Sequence, residues 1–339
     1  MDASHTQAPR PQPVRGFSFA LLAAALLVGC AVQPPAEPAP TPANLAAWPR
    51  TLTDDEGTTI ELAEPPERVI SLSPANTEIA FALGAGDRLV GGTDFDDYPS
   101  EAAALPDVAT FTGVLLEQAV ALEPDLVLAA GNNFTPPDDI ERMRELGLTV
   151  LVVYAETVDE VLSDIALVGQ ALGADEQAAD ILSGMQARLA EVQAAVESVP
   201  ERPRVFYQIG SVPEIYAPAP DSFIADMVAL GGGEPITTTD PAVFSISVER
   251  LVELDPEVIV LGDAAYGVCP AEVRTRPGWE SMTAVQADAL RPVDDVIITR
   301  PGPRLAEGLA ALALAIHPTL DLQPPTDGAV LCAEGSLAR

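Results

Sequence analysis

The chain has 339 residues, with 51 aspartates and glutamates against 17 basic side chains, a formal charge of −34, and every basic residue is arginine. Such a surface repels phosphate backbones and anionic lipid headgroups, which excludes nucleic-acid binding. At roughly 100–200 residues per domain the length predicts two lobes, each large enough for a core of its own.

Arg10 and Arg15 precede the apolar run "GFSFALLAAALLVGC". The run is too short to span a bilayer and carries the basic flank of a secretory signal, so residues 1–29 read as a leader. Its end, "LVGC", resembles the bacterial lipobox, whose cysteine is diacylated and becomes the mature N-terminus. Cys30 is therefore expected to carry the lipid that holds the protein on the extracytoplasmic face of the membrane, since two acyl chains suffice for stable anchoring. Residues 30–50 follow as a tether, with prolines at 34, 35, 38, 40, 42 and 49, semi-extended and unable to form a core. In that oxidising compartment Cys269 and Cys332 remain as an even pair, expected to bridge. The bridge would stabilise by about 4 kcal/mol on the chain-entropy model.

Residues 51–156 form the expected N-terminal lobe. "TLTDDEGTTIEL" (51–62) alternates about a Glu56-Gly57 turn and predicts a hairpin. "RVISL" (68–72) predicts a buried strand, "SPANTEIAFAL" a helix stopped by glycines, and "RLVGG" the next strand. Gly84 and Gly86 follow a helix rather than a strand, so they read as a C-cap and not as a dinucleotide loop. "DLVLAA" (125–130) and "TVLVVY" (149–154) are further apolar strands separated by a helix, the alternation of a parallel sheet. Thr157 and Glu160 have capping-box spacing and open a helical region, 157–200, broken near Gly173 and continued by one long helix. Residues 201–339 restart the α/β pattern with the strand "RVFYQIG", the helix "SFIADMVAL", the apolar segment 294–300 and a final helix. The predicted fold is α/β: two Rossmann-like lobes with parallel-rich sheets, joined by a single long interdomain helix. One unit occurs twice, "LEQAVALEPDLVLAAG" (116–131) and "VERLVELDPEVIVLGD" (248–263), with Glu117 and Glu249, and Pro124 and Pro256, each 132 positions apart.

Catalytic chemistry finds little support. Past the leader the only histidine is His317, at the end of an apolar helix before Pro318, where it reads as a C-terminal cap rather than a metal ligand. No nucleophile elbow, P-loop or Cys-X-X-Cys is present; neither enzyme activity, a metal site nor a cofactor is expected. What remains is a cleft at the C-terminal ends of two open sheets, where such sheets bind ligands. Phe95, Tyr98, Phe111, Phe134, Tyr207, Tyr216, Phe244 and Tyr266 fall near predicted strand ends and would give it flat apolar walls.

Together, the lipobox, "RVISLSPANTEIAFALGAGDRLVGGTDFDDYP", the "LEQAVALEPDLVLA" segment and the linking helix resemble class III solute-binding proteins of ABC importers, the family that takes up cobalamin, haem and ferric siderophores. The resemblance runs from about residue 50 to 318 and is strongest over 68–130, where it is most like cobalamin-binding members. It implies a monomer that delivers a macrocyclic small molecule to a permease dimer with its ATPase subunits. In the family one glutamate on each lobe docks on the permease; by motif position these are Glu117 and Glu249, a matched pair suited to a two-fold partner. Phe95 and Phe111 match aromatic pocket positions and Arg300 a cleft arginine. Ala130 and Val243 stand where cobalamin binders tend to carry tryptophan, with Phe134 and Phe244 close by. Asp94, Asp96 and Asp97, expected at the cleft edge, disfavour an anionic ferric catecholate. The expected ligand is a corrinoid; a ferric siderophore or haem is the alternative. From another class, the same lobes would serve as the sensing subunit of a signalling complex.

Overall fold

In the computed structural model of the protein, which describes residues 47–131, 134–325 and Cys332, the alternation of 51–62 becomes a hairpin. Strand β1 (Arg50–Thr53) pairs antiparallel with β2 (Thr59–Leu62). Asp54 closes the turn, its carboxylate accepting from the backbone N–H groups of Glu56 and Thr58 at 3.1 and 2.7 Å. The leader, Cys30 and most of the tether lie outside the described residues.

The first large sheet collects β3 (Val69–Ser71), β4 (Leu89–Thr93), β5 (Asp107–Thr110), β6 (Gly113–Val114), β7 (Leu126–Ala129) and β8 (Val150–Val152) in the order β6-β5-β4-β3-β7-β8, parallel throughout except for β6. Strands β3, β7 and β8 are buried at every position, as continuous apolar runs must be when helices cover both faces. Three helices punctuate them: α1 (Pro74–Ala82), α2 (Leu116–Ala121) and α3 (Pro137–Glu145). Ser73 caps α1 through its side chain, with Pro74 in the first turn, where a missing N–H costs nothing. After the helix, Gly84 takes φ +75°, the left-handed stop expected of it.

Region 157–200 is two helices. Thr157 and Glu160 form the capping box of α4 (Val158–Leu172), which ends at Gly173 in the left-handed conformation. Helix α4 packs on α1 and on β1, so it belongs with the first sheet. Only α5 (Asp175–Glu197) carries the chain onward, about 35 Å at 1.5 Å per residue. It packs on α4 and on the last helix.

The second sheet, order β10-β9-β11-β12, is parallel throughout. In chain order come β9 (Arg204–Gln208), α6 (Phe223–Leu230), β10 (Glu234–Pro235), α7 (Val248–Leu254), β11 (Val258–Leu261), α8 (Pro270–Val273), α9 (Thr283–Gln286), β12 (Leu290–Pro292), α10 (Asp295–Thr299) and α11 (Leu305–Ile316). Cys269 and Cys332 are joined, Cα to Cα 5.6 Å.

The repeated sequence unit is a repeated structure. Arg68 donates to the carbonyls of Leu122 and Glu123 at the end of α2, and Arg204 does the same to Leu254 and Asp255 at the end of α7. Glu123 and Asp255 both turn the chain with positive φ, 47° and 45°. Each strand-initial arginine thus satisfies the carbonyls a helix end leaves open and ties that helix to the sheet.

Buried apolar side chains fall into two cores. The main one runs from Leu128 and Leu151 of the first sheet, through Met185 and Val192 of α5, to Val205 and Ile259 of the second sheet and Leu251 of α7. A smaller one lies on the other face of the first sheet, where Ile70, Val127 and Val152 meet Ala119 of α2 and Ile140 and Met143 of α3.

Candidate functional site

The C-terminal ends of β3, β7 and β8 face residues of the second sheet's lobe across a cleft of about 730 Å³, within the range of small-molecule sites. The first wall is Ser73–Asn76 at the head of α1, Ala130 and Phe134 after β7, and Val153–Glu156 after β8; Asp164 of α4 also lines it. The opposite wall is Asp221–Ile224 at the head of α6, Phe244, and Thr299–Pro301. Phe134 and Phe244, 71% and 53% exposed, stand on opposite walls. Tyr154 lies beside Phe134, ring centres 6.5 Å apart. Two exposed aromatic faces across a cleft suit a flat ligand.

The structure divides the predicted ligand residues. Phe134, Phe244 and Arg300 come together on the cleft. Phe95, Tyr98, Phe111 and Tyr266 are exposed but lie outside its lining, and the Arg304 guanidinium stacks on Tyr98, 3.8 Å from the ring centre. Tyr207 is a correction: it sits inside β9 rather than after it, is fully buried, and its hydroxyl donates to Asp295 Oδ1 at 2.7 Å. Burial, with the Asp295 carboxylate beside it, pushes its phenol well above the usual range, so it is an internal donor and no ligand contact. Asp96 is likewise internal, accepting from Thr93 N, Thr93 Oγ1 and Thr77 Oγ1 at 2.8–3.0 Å, while Asp94 is exposed. The His317 ring bonds to the carbonyl of Gly232 at 3.0 Å, joining the ends of α11 and α6. Glu117 and Glu249 are both exposed in the first turn of their helices, α2 and α7.

Sequence reasoning passed over Tyr154 and Asp164. Tyr154 ends a strand-like run and was open to the rule that found Phe134. Asp164 carried a subtler signal, a carboxylate on the apolar stripe of α4 between Val161, Ile165 and Val168. It is buried, and burial together with the neighbouring Asp55 and Glu160 carboxylates holds it up to about 8. Asp164 therefore keeps its proton at neutral pH and shares it with Asp55, whose other contact is the backbone N–H of Tyr154 at 2.6 Å. Among the described residues no group of three or more His, Cys, Asp or Glu side chains is placed to hold a metal ion.

A model of periplasmic binding proteins matches residues 69–295. The chain belongs to that family. Its members bind solutes and are not enzymes, and the two-sheet architecture of this periplasmic binding protein is the class III form. An uncharacterized ABC transporter substrate-binding lipoprotein of Bacillus subtilis is 32% identical over 302 residues, 88% of this chain and 95% of the relative. A cobalamin-binding protein of Halobacterium salinarum is 32% identical over 301 residues, 85% of this chain and 79% of its own. Among solved structures, the periplasmic vitamin B12 binding protein of Vibrio cholerae superposes with TM-score 0.66 at 28% identity, covering 74% of this chain and 97% of that one. A periplasmic heme-binding protein solved with two hemes gives the same TM-score, 0.66, at 26% identity, covering 75% and 100%. Equal scores for the two show that the backbone does not choose between ligands; side chains must.

Proposed function

We propose that this periplasmic binding protein captures a corrinoid in the cleft between its lobes, 51–156 and 201–339, and delivers it to an ABC importer. The observation that carries the reading is the pair of exposed phenylalanines, Phe134 and Phe244, on opposite walls of a cleft whose lining also offers the uncharged polar groups Ser73, Asn76, Ser222 and Thr299. A flat macrocycle bearing amides fits such walls, apolar faces against the rings and amide edges on the hydroxyls. The sequence relatives that carry cobalamin or vitamin B12 in their names support the same choice. Haem or a ferric siderophore is the second reading, favoured by the heme-binding structures of equal similarity.

Glu117 and Glu249 are proposed as the permease contacts. Both are exposed, each opens a helix tied to its sheet by the same arginine device, and two equivalent carboxylates answer a two-fold partner. Cys30 is proposed as the lipid-bearing residue, supported by the lipoprotein description of the Bacillus subtilis relative; Cys30→Ser is expected to move the protein from the membrane fraction to the soluble one. The deciding experiment is titration of the purified full chain with cyanocobalamin, hemin and ferric hydroxamates, followed by tryptophan fluorescence. Micromolar or tighter binding of cyanocobalamin is expected; binding of ferric complexes alone would remove the corrinoid reading.

A further inference from the structure

Arg300 is the one basic side chain lining the cleft among the described residues, and its guanidinium is engaged across the lobe boundary. Its Nη1 donates to Glu78 Oε1 at 2.6 Å and to Asp97 Oδ1 at 2.8 Å. Arg304 holds the same Glu78 carboxylate in a fork, Nε to Oε2 at 3.0 Å and Nη2 to Oε1 at 2.6 Å, while stacking on Tyr98. Glu78, on α1, is 3% exposed, and Asp97 and Tyr98 follow β4; the two arginines come from the turn between α10 and α11. Two cations therefore meet two carboxylates, and the cluster is balanced with no ligand present. The other ionisable acids lining the cleft, Glu156, Asp164 and Asp221, add no positive charge.

An ion-pair cluster centred on a buried carboxylate is a poor device for stability alone, because the desolvation of its buried members offsets their attraction. Its effect on ligand choice is larger. A ligand carboxylate or catecholate entering the cleft meets an arginine that is already paired, and would have to be desolvated without a cation to receive it. Neutral amides lose nothing by this arrangement.

We infer that Glu78 is a specificity-determining residue: by occupying Arg300 and Arg304 across the lobe boundary it shuts anionic ligands out of the cleft and reserves it for neutral or cationic ones. The inference rests on the cleft being the ligand site and narrows the class of ligand it takes. The carboxylate is doubly held and buried, so it does not swing away to free the arginines for an incoming anion.

The test compares cyanocobalamin (neutral), ferrioxamine B (cationic hydroxamate), hemin (two carboxylates) and a ferric tris-catecholate (trianion) on the wild type, Glu78→Gln and Asp97→Asn full-length proteins. The readout is the ratio of affinities, anionic probe over neutral or cationic probe. In the wild type the ratio is expected to be below one tenth. Glu78→Gln is expected to raise it at least tenfold, and Asp97→Asn, at a more exposed acceptor, by a smaller factor in the same direction. Should Glu78→Gln not fold, as judged by its melting transition, Asp97→Asn still decides the matter. Wild-type protein binding hemin or the catecholate as tightly as the neutral and cationic probes overturns the inference. So does an unchanged ratio in the folded variants, or the absence of any gain in anion binding. If ferrioxamine B binds and cyanocobalamin does not, with the ratio shifting as expected, the corrinoid reading fails and the charge filter stands.

Discussion

Replacing Asp164 with asparagine should stabilise the protein at alkaline pH and bring no gain, or a modest loss, in acid. In the folded state the carboxyl is held up to about 8, by burial first and then by Asp55 and Glu160; in the unfolded chain an aspartate titrates near 3.9. A raised folded-state value means the native protein binds a proton that the unfolded chain releases. The native advantage is therefore complete below about pH 4 and declines through the window up to about pH 8, at about 1.4 kcal/mol per pH unit. Above that window the full cost of ionising or burying the group remains. Asparagine keeps an N–H donor toward Asp55 and has no proton to lose. The titration cost integrates to about 5 kcal/mol across the window, and an imperfectly paired buried amide takes back about 1–3 kcal/mol. A net gain of about 2–4 kcal/mol at pH 8.5 is expected, turning into no gain or a loss of up to about 2 kcal/mol at pH 4.5, where only about 1 kcal/mol of the titration cost has accrued. Urea unfolding of both proteins at pH 4.5, 6.5 and 8.5 measures this as a shift of midpoint at constant slope. Acidic groups remote from Asp164 cancel in the comparison, and Asp55, which shares its proton, titrates with it. A wild-type to variant difference that stays flat with pH would show that Asp164 does not hold its proton, and would refute the argument.

Breaking the bridge between Cys269 and Cys332 by Cys332→Ser should cost about 4 kcal/mol, given the 63-residue separation and the chain-entropy relation, seen as a lower melting midpoint that reductant no longer affects. Glu123→Gly should stabilise by up to about 1 kcal/mol by relieving a left-handed φ at an exposed residue. The equivalent Asp255→Gly should not, because the Asp255 carboxylate accepts from Thr283 N and Oγ1 at 2.8 and 2.9 Å; paired urea titrations separate the two. Glu117→Arg and Glu249→Arg should each lower uptake by vesicles carrying the cognate permease while leaving ligand affinity intact, and the double variant should be worse than either; full uptake by the double variant would remove the docking role.

Much of the fold was legible because burial on both faces of a parallel sheet writes itself as uninterrupted apolar runs. Residues 68–72, 125–130, 149–154 and 204–210 each gave a strand. The hairpin was legible for the opposite reason, its alternation about Gly57. The short strands β5, β6 and β12 escaped, since four residues or fewer with threonine, glycine or proline show no period. In the site, the place beside Val243 in the family resemblance located Phe244, and position after a strand located Phe134. The same rule failed for Tyr207, where the strand continues past the aromatic and turns it into the interior. Arg300 was visible as a residue of the cleft, but its pairing with Glu78 was not. The two are 222 positions apart, and only the closing of one lobe against the other brings them together.

The two cores give the repeated unit a mechanical asymmetry. Helix α2 rests through Leu116, Ala119 and Leu122 on the small outer core of the first sheet, whereas α7 rests through Val248, Leu251 and Val252 on the large core that also holds α5 and α11. A layer seated on few side chains opens at lower free energy than one seated on the main core. Amide protons of α2 and α3 are therefore expected to exchange with solvent ahead of those of α7. Glu117 and Glu249 thus stand at matching places in the repeated unit on unlike footings, one above the small core and one above the large.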